Sequence, residues 1–372
     1  MNKIVLVTNY LLDNQQSMQR YALALQAGLS SKGLQAIAIS PQPIFGKLYF
    51  SQKGVGKWLG YIDKYLFFPF KLHRIKNLFH ICDHSNAMYI QHVKDKNHLI
   101  TCHDVLAIRS ALGEIPENPI SWTGKQYQAL ILKGLNQAQH VVCVSHKTRE
   151  ELLSISTLRP EQTSVIHNGL NYPFRQLSLE ESAQRLSPKP ELLKIPFVLH
   201  IGDNKWYKNR SGLLRIFANY RRLYPQSDLY LLIAGQPLSK ELEKLKNELN
   251  LNTRIIEWIS PTTEQLEALY SLAQALLFPS LHEGFGLPVI EAQACGCPVV
   301  CSSNGSLPEV AANGALMAPA QEEEEIAHLL GKTIHSSSTR FELIQKGLVN
   351  INRFIPEKTV DAYVQLYNNL RV

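Results

Sequence analysis

The chain has 372 residues, 45% of them hydrophobic and 19% charged, with 38 Lys+Arg against 31 Asp+Glu and a formal charge of +7. At roughly 150 residues per domain this length suggests about two domains, and the composition excludes a disordered or collagen-like chain. No apolar run approaches the roughly 18 residues of a membrane span. The six cysteines include no C-x-x-C pair, which fits reduced core residues and not a disulfide framework or a zinc site.

In chain order, residues 4–8 form an apolar run that fits a first buried strand, and the start of the chain reads as that strand and not as a signal peptide. Residues 17–31 follow with helical spacing of Tyr21, Leu25 and Leu29, and residues 36–40 read as a second strand. Short apolar strands return at 87–91, 98–102, 140–145 and 163–167, with helical stretches at 124–137 and 147–154. Residues 173–196, punctuated by Pro173, Pro188, Pro190 and Pro196, look like a linker. A second series then places strands at 197–201, 229–234, 254–258, 275–278 and 298–301, separated by helices at 210–223, 240–250, 263–272 and 288–295. The acidic run 322–325 suits a helix start, where acids meet the positive end of the dipole. Alternating short strands and helices predict parallel sheets covered on both faces. The expected fold is therefore α/β, with two Rossmann-like doubly wound domains (1–172 and 197–355) facing each other across a cleft.

The charge is unevenly spread. Residues 1–170 carry 18 Lys+Arg against 10 Asp+Glu, and residues 171–372 carry 20 against 21. Within the basic half, residues 44–80 hold Lys47, Lys53, Lys57, Lys64, Lys71, Arg74 and Lys76 against the single acid Asp63. Such an imbalance implies an anionic partner. Residues 57–74 mix these cations with large aromatics. An amphipathic element on an anionic leaflet and a core helix with a basic solvent face both fit, and nucleic acid fits less well.

In open α/β sheets, ligands bind outside the carboxyl ends of the strands. Residues 279–292 (P-S-L-H-E-G-F-G-L-P-V-I-E-A) follow an apolar strand and open a helix near Leu287. Gly284 and Gly286 let the backbone pass close to a ligand, and the free amides of a helix start favour an anion. Glu283 and Glu291 flank this turn. Carboxylates beside an anion site suit a ligand with both hydroxyls and phosphates, because a carboxylate is a strong acceptor for sugar hydroxyls.

These residues resemble a known family. Glu283 and Glu291 form a Glu-x7-Glu motif in the setting E-G-F-G-L-P-V-I-E-A, followed by C-G-C-P-V-V, and this resembles glycosyltransferase family 4, retaining, metal-independent enzymes of the GT-B fold that use sugar-nucleotide donors. The segments V-I-H-N-G (165–169), V-C-V-S-H (142–146), T-C-H-D (101–104), His200 through Asn209 and residues 302–309 extend the resemblance. It implies that Glu291 takes the ribose hydroxyls, that Glu283 contacts the transferred sugar, and that the amides of Phe285, Gly286 and Leu287 hold sugar hydroxyls and the α-phosphate. Lys208 would neutralise the diphosphate, in the loop that begins at Gly202. Base recognition would use backbone near residues 258–260, Ile259 among them. His103 would lie against the transferred sugar.

Each role has a plainer reading beside it: Glu291 as a solvated helix acid, Lys208 as a surface lysine, His103 as a partly buried structural histidine. The chain departs from the family at Tyr207, where many members have arginine, and Lys205 is a substitute for that charge without the bidentate geometry. The first loop, 10–20, lacks the usual glycine pair. Ser17 and Arg20, with Asp83, His84 and Asp104, are the acceptor-side candidates.

No D-x-D, Walker A or G-x-G-x-x-G pattern occurs, so no metal or cofactor is expected; the resemblance implies a nucleotide-diphosphate sugar, of UDP or GDP type, as the substrate. The expected activity is retaining transfer of a hexose-type sugar to a saccharide or lipid-linked acceptor, in polysaccharide or glycolipid synthesis. The expected setting is cytoplasmic, at the inner face of the membrane if the basic segment contacts lipid, with no nucleic-acid partner. The resemblance also implies a C-terminal helix, 356–370, crossing back to the first domain. A GT-B-type sugar-nucleotide epimerase or hydrolase, or a non-catalytic nucleotide-sugar or polyanion-binding protein, is the alternative.

Overall fold

The computed structural model describes residues 3–13, 15–44, 60 and 62–370. The chain forms two compact units, Met1–Asn171 with Pro356–Val372, and Tyr172–Ile355. Lys47, Lys53, Lys57 and Trp58 of the basic-aromatic stretch lie outside the described residues.

The first unit is built on a six-stranded parallel sheet of β1 (Ile4–Val7), β2 (Ala36–Ile39), β3 (Leu78–Ile81), β4 (His98–Cys102), β5 (Val141–Cys143) and β6 (Thr163–Val165), in the order β2-β1-β3-β4-β5-β6. Strands β1, β3, β4 and β5 are buried at every position, as expected of parallel strands covered on both faces, and they show no apolar–polar alternation. The order reverses between β1 and β3, which pair Val7 with Ile81.

Residues 87–91, expected as a strand, are instead part of a 3-10 helix, His84–His92, and the strand before them is β3. The Asp83 carboxylate accepts the Ser85 N–H at 3.0 Å and starts the turn. Ala87, Met88, Tyr89 and Ile90 are all buried, and a short run buried on every side has no period that separates helix from strand.

The C-terminal helix Pro356–Asn369 belongs to this unit. Its Val360, Tyr363 and Tyr367 pack with Leu6, Leu25, Leu29, Cys82 and Leu99. A buried polar chain fastens it: Tyr363 Oη lies 2.6 Å from Tyr21 Oη and 3.0 Å from Thr101 Oγ1, while His80 bridges Tyr367 Oη (2.6 Å) and Thr101 Oγ1 (2.7 Å). Burial, then His103, pulls the His80 pKa down to about 3, so the ring is neutral.

The second unit holds β7 (Phe197–Gly202), β8 (Tyr230–Gly235), β9 (Ile255–Ile259), β10 (Ala275–Phe278), β11 (Val299–Ser302) and β12 (Ala315–Ala318), ordered β12-β11-β10-β7-β8-β9. Its first strand sits at the centre and the winding reverses between β7 and β10, the doubly wound arrangement that leaves a crevice at their carboxyl ends.

Residues 173–196 are not a loose linker. They carry the helix Leu179–Arg185, whose N-terminus is closed by a reciprocal Ser178–Glu181 capping box. The buried Glu267 carboxylate accepts the Arg175 N–H at 2.8 Å and the Arg185 guanidinium, which ties the stretch to the helix Thr263–Leu272. The acidic run opens the helix Glu323–His335, with Glu323 and Glu324 paired to Arg215 and Arg222. The helix Ser337–Asn350 has no clear sequence signal, because Phe341 and Val349 are exposed on it and blur its apolar face.

Candidate functional site

In the second unit, the loops leaving β7 and β10 are stitched together before any side chain meets a ligand. Asn209, left-handed at φ 53°, accepts the Gly212 N–H at 3.2 Å to cap the helix Arg210–Leu223. Its Nδ2 donates to Pro279 O at 2.9 Å, and the Leu281 N–H donates to Tyr207 O at 2.8 Å.

On this frame, the Lys208 ammonium reaches the Glu283 carboxylate, Nζ to Oε1 2.7 Å, with both side chains largely buried. The same Nζ lies 5.2 Å from the Phe278 ring centre and 5.4 Å from that of Tyr207. Tyr207 thus offers a π face to the lysine beside it. Lys205 does not join this pair: its side chain is mostly exposed, 3.4 Å from Asp203.

The buried guanidinium of this loop is Arg210. It donates to Gly202 O (2.6 Å), Gln236 O (2.8 Å) and Asn204 Oδ1 (2.6 Å), and so shapes the loop from beneath. Burial lowers its pKa against the pull of Asp203 and Glu257. His200 is buried beside it and donates Nδ1–H to Leu277 O at 3.1 Å, which leaves Nε2 as a lone pair with no hydrogen-bond partner. Burial, then the Arg210 charge, takes this histidine down to about 3.

The Glu283 backbone is held from a third loop. Ser306 N–H donates to Glu283 O at 3.2 Å, and its single hydroxyl proton is shared between Glu283 O (3.0 Å) and Phe285 O (2.8 Å). Gly305, at φ +61°, passes so close that a Cβ there would sit 2.8 Å from Glu283 N and O. Gly286, at φ +99°, is the N-cap of the helix Leu287–Ala294, and the chain passes through Phe285, Gly286 and Leu287 into amides that an anion can meet. Glu291, within that helix, accepts the Tyr270 hydroxyl at 2.8 Å. Burial and then Glu291 push the Tyr270 phenol far above its ordinary range, so it stays a donor. Ile259 ends β9 as an exposed side chain, and the next residue, Ser260, is left-handed at φ 50° with its N–H on Gly235 O (2.9 Å).

In the first unit, a second polar cluster gathers where β1, β3 and β4 end. Asn9 Nδ2 lies 2.5 Å from Asp83 Oδ2 and 2.6 Å from Gln15 Oε1. The Asp83 carboxylate also takes the Ser85 hydroxyl (2.5 Å) and faces His84 Nδ1 at 3.3 Å. Burial raises its pKa, but His84, His103 and Ser85 outweigh burial and hold it below the usual carboxylate range. His103 Nε2 lies 2.9 Å from Cys82 O, so that nitrogen carries the proton, and Tyr21 meets the ring edge-on at 4.8 Å. Burial keeps it neutral against the pull of Asp83 and the Cys82 carbonyl.

The sequence candidates thus divide. Glu283 and Lys208 meet in one unit, beside Gly202, Phe285, Gly286 and Leu287; Asp83, His84 and His103 meet in the other. Asp104 serves its own helix, because its Oδ1 accepts the Leu106 N–H at 3.0 Å to start Leu106–Ala111. Ser17 and Arg20 are exposed on the helix Gln16–Ser31; Gln15, its N-cap, bonds Asn9 of the Asp83 cluster, and Tyr21 on the helix meets His103. Asn9, Arg210, Tyr270 and Ser306 do not stand out in the sequence. Only Ser306 has a signal there, because it lies in the 302–309 segment.

Residues 184–350 match the family described as Glycosyl transferases group 1, and residues 18–172 match Glycosyltransferase Family 4. The chain belongs to the GT-B glycosyltransferases. Among curated relatives, this glycosyltransferase is 28% identical over 291 residues to O-antigen chain mannosyltransferase B of Escherichia coli, covering 75% of this chain and 73% of that protein. It is 25% identical over 277 residues to the O-antigen chain mannosyltransferase RfbU of Salmonella typhimurium, covering 74% and 69%. Solved structures share its fold. Sucrose-phosphate synthase from Thermosynechococcus elongatus superposes with a TM-score of 0.79 at 20% identity, covering 100% of this chain and 99% of that one. HepE from Anabaena, solved with UDP and glucose, superposes with a TM-score of 0.74 at 17% identity, covering 99% and 100%.

Proposed function

We propose that this glycosyltransferase moves a hexose-type sugar from a UDP- or GDP-type donor to a saccharide or lipid-linked acceptor, with retention of anomeric configuration and without a metal, in cell-surface polysaccharide or glycolipid synthesis. The observation that carries the reading is the Lys208–Glu283 pair at the β7–β10 switch point, next to the helix start at Gly286. A diphosphate arriving there meets the Lys208 ammonium and the amides of residues 285–287, which supply the charge that departure of the nucleotide demands. Glu283, released from the lysine, accepts a hydroxyl of the transferred sugar, and Glu291 accepts the ribose hydroxyls.

In this reading the bond between the anomeric carbon and the diphosphate oxygen breaks as the acceptor oxygen bonds to the same face of that carbon. The acceptor proton passes to the departing diphosphate oxygen, so no side chain serves as the base. Retention rests on the resemblance around Glu283 and Glu291. The hexose and the polysaccharide setting draw on the two O-antigen mannosyltransferases, and the nucleotide class draws on HepE with UDP. His103 and the Asn9–Asp83 cluster are assigned to the sugar and acceptor side.

The test is product analysis with a panel of nucleotide sugars, with and without a pool of saccharide and lipid-linked acceptors. Transfer predicts that nucleoside diphosphate appears together with a glycosylated acceptor. Full turnover of the donor with no acceptor present would mark an epimerase or a hydrolase instead.

A further inference from the structure

The stretch from Ile62 to Lys76 has an unusual backbone. Asp63–Phe67 is a π-helical turn, closed by the Phe68 N–H on Asp63 O, and it runs straight into the α-helix Phe68–His73. An α-helix returns to one face after three or four residues, and a π turn after about one more. Here Asp63 and Phe68, five apart, are both buried, followed by Pro69 and Leu72. The inward face is firmly seated: Asp63 accepts the Tyr10 hydroxyl at 2.9 Å, Phe68 meets the Tyr89 ring at 5.0 Å, and Leu72 joins the core.

The widened turn pushes its intervening residues outward. Leu66 is 54% exposed and Phe67 45%, and one turn later Phe70 is 61% exposed. Lys71, Arg74 and Lys76 are exposed beside them. The only acid between Ile62 and Lys76 is the buried Asp63, so the exposed charges of this stretch are all positive. Lys64 is set apart from this flank by its ion pair with Asp13 at 2.6 Å.

Large apolar side chains left in water, with cations as the only exposed charges beside them within residues 62–76, match one surface in both respects. An apolar protein groove suits Leu66 and Phe70 but gives no reason for an unbroken positive flank, and a soluble polyanion suits the flank but not the apolar tips. We infer that this π-to-α turn seats the enzyme on an anionic lipid bilayer, with Leu66 and Phe70 at the headgroup–acyl boundary and Lys71, Arg74 and Lys76 among the headgroups. No helix of the described residues is long and apolar enough to cross a membrane. The inference deepens the proposed function, since it rests on the reading that the acceptor is lipid-linked.

The experiment is co-sedimentation of the full-length protein with phosphatidylcholine vesicles, made with or without phosphatidylglycerol, at low and physiological salt. Binding should require phosphatidylglycerol and weaken with salt. The double variant Leu66→Ser/Phe70→Ser should weaken partitioning about tenfold or more. Lys71→Gln/Arg74→Gln should weaken it about thirtyfold. Unfolding midpoints equal to that of the parent show that these exposed changes leave the fold intact. No binding to phosphatidylglycerol vesicles overturns the inference. So does a serine variant that binds as well as the parent, because the surface would then be reading charge alone, as a soluble polyanion or nucleic acid would satisfy. Donor turnover on a water-soluble acceptor is measured separately, so vesicle binding without transfer would sink the proposed reaction and leave this surface standing.

Discussion

Lys208 Nζ lies 2.7 Å from Glu283 Oε1, joining two loops that leave adjacent parallel strands of one sheet. The pair is largely buried, so each partner shields the other's charge, and removing one leaves the other uncompensated. A donor that inserts its diphosphate and sugar hydroxyls between them replaces one set of charged contacts with two.

Lys208→Ala is therefore expected to lower kcat/KM by roughly 10²–10³, with loss of nucleoside diphosphate affinity, because it removes the cation opposite the leaving group. Glu283→Gln should cut turnover while nucleotide affinity is kept, since the ammonium stays. The double variant should lose less than the sum of the two, as measured by a mutant cycle on kcat/KM. Additive losses would mean that the two side chains act independently.

Gly305→Ala should act on Glu283 from behind. Its φ is +61°, and the added Cβ would lie 2.8 Å from Glu283 N and O, so the backbone carrying the carboxylate must move. The expected result is a stability loss of about 1–3 kcal/mol and a fall in kcat. Gly33→Ala is the control. It has φ +74° with nothing within 4 Å, so its cost of about 1 kcal/mol should come with unchanged kcat.

How much of this was legible in the sequence depends on how far apart the cooperating residues lie. Glu283, Gly286 and Glu291 share one stretch, so their pattern could be read directly. Most of the buried strands could be read because both faces are covered and no alternation is needed, but β3, fully buried with His80 inside its short run, does not stand out. Residues 87–91 satisfy the same apolar test yet fold as a 3-10 helix, because the deciding contact is the Asp83 side chain on Ser85, which hydropathy does not register. Asn9 joins the cluster through Asp83, 74 residues away, and Tyr270 meets Glu291, 21 residues away in another helix. Arg210 looks like an ordinary helix-start arginine until the carbonyls of Gly202 and Gln236 are seen around it.

Acidification should destabilise the fold well above the carboxylate range. His80 and His200 are buried and neutral, each lowered from an ordinary 6.5 to about 3. Above pH 6.5 both are neutral folded and unfolded, and they add no pH dependence. Below it the unfolded chain takes up the protons first, so stability falls with pH until the folded values are reached. Each group should cost about 2 kcal/mol between pH 6.5 and 5. Urea unfolding at a series of pH values measures this, and a flat profile over that window would refute the assignment of both rings as neutral.

Tyr363→Phe should cost about 1–2 kcal/mol, because it strips the hydroxyl that meets Tyr21 and Thr101 inside the core. The Lys32–Asp361 ion pair joins the same two helices at 2.6 Å but is exposed, so Lys32→Ala should cost under about 1 kcal/mol. Thermal unfolding of the two variants ranks them. Equal losses would mean that the buried hydroxyl chain does not fasten the C-terminal helix.

If the Lys208–Glu283 crevice holds a nucleoside diphosphate sugar, the folded state alone should bind that ligand, and its unfolding midpoint should rise with it. The decisive measurement is thermal unfolding of the parent and of Lys208→Ala, each with UDP, GDP, ADP and their sugars. One nucleotide class is expected to raise the midpoint of the parent, and Lys208→Ala to abolish most of that shift. A shift of the same size in Lys208→Ala, or none with any nucleotide, would contradict the assignment.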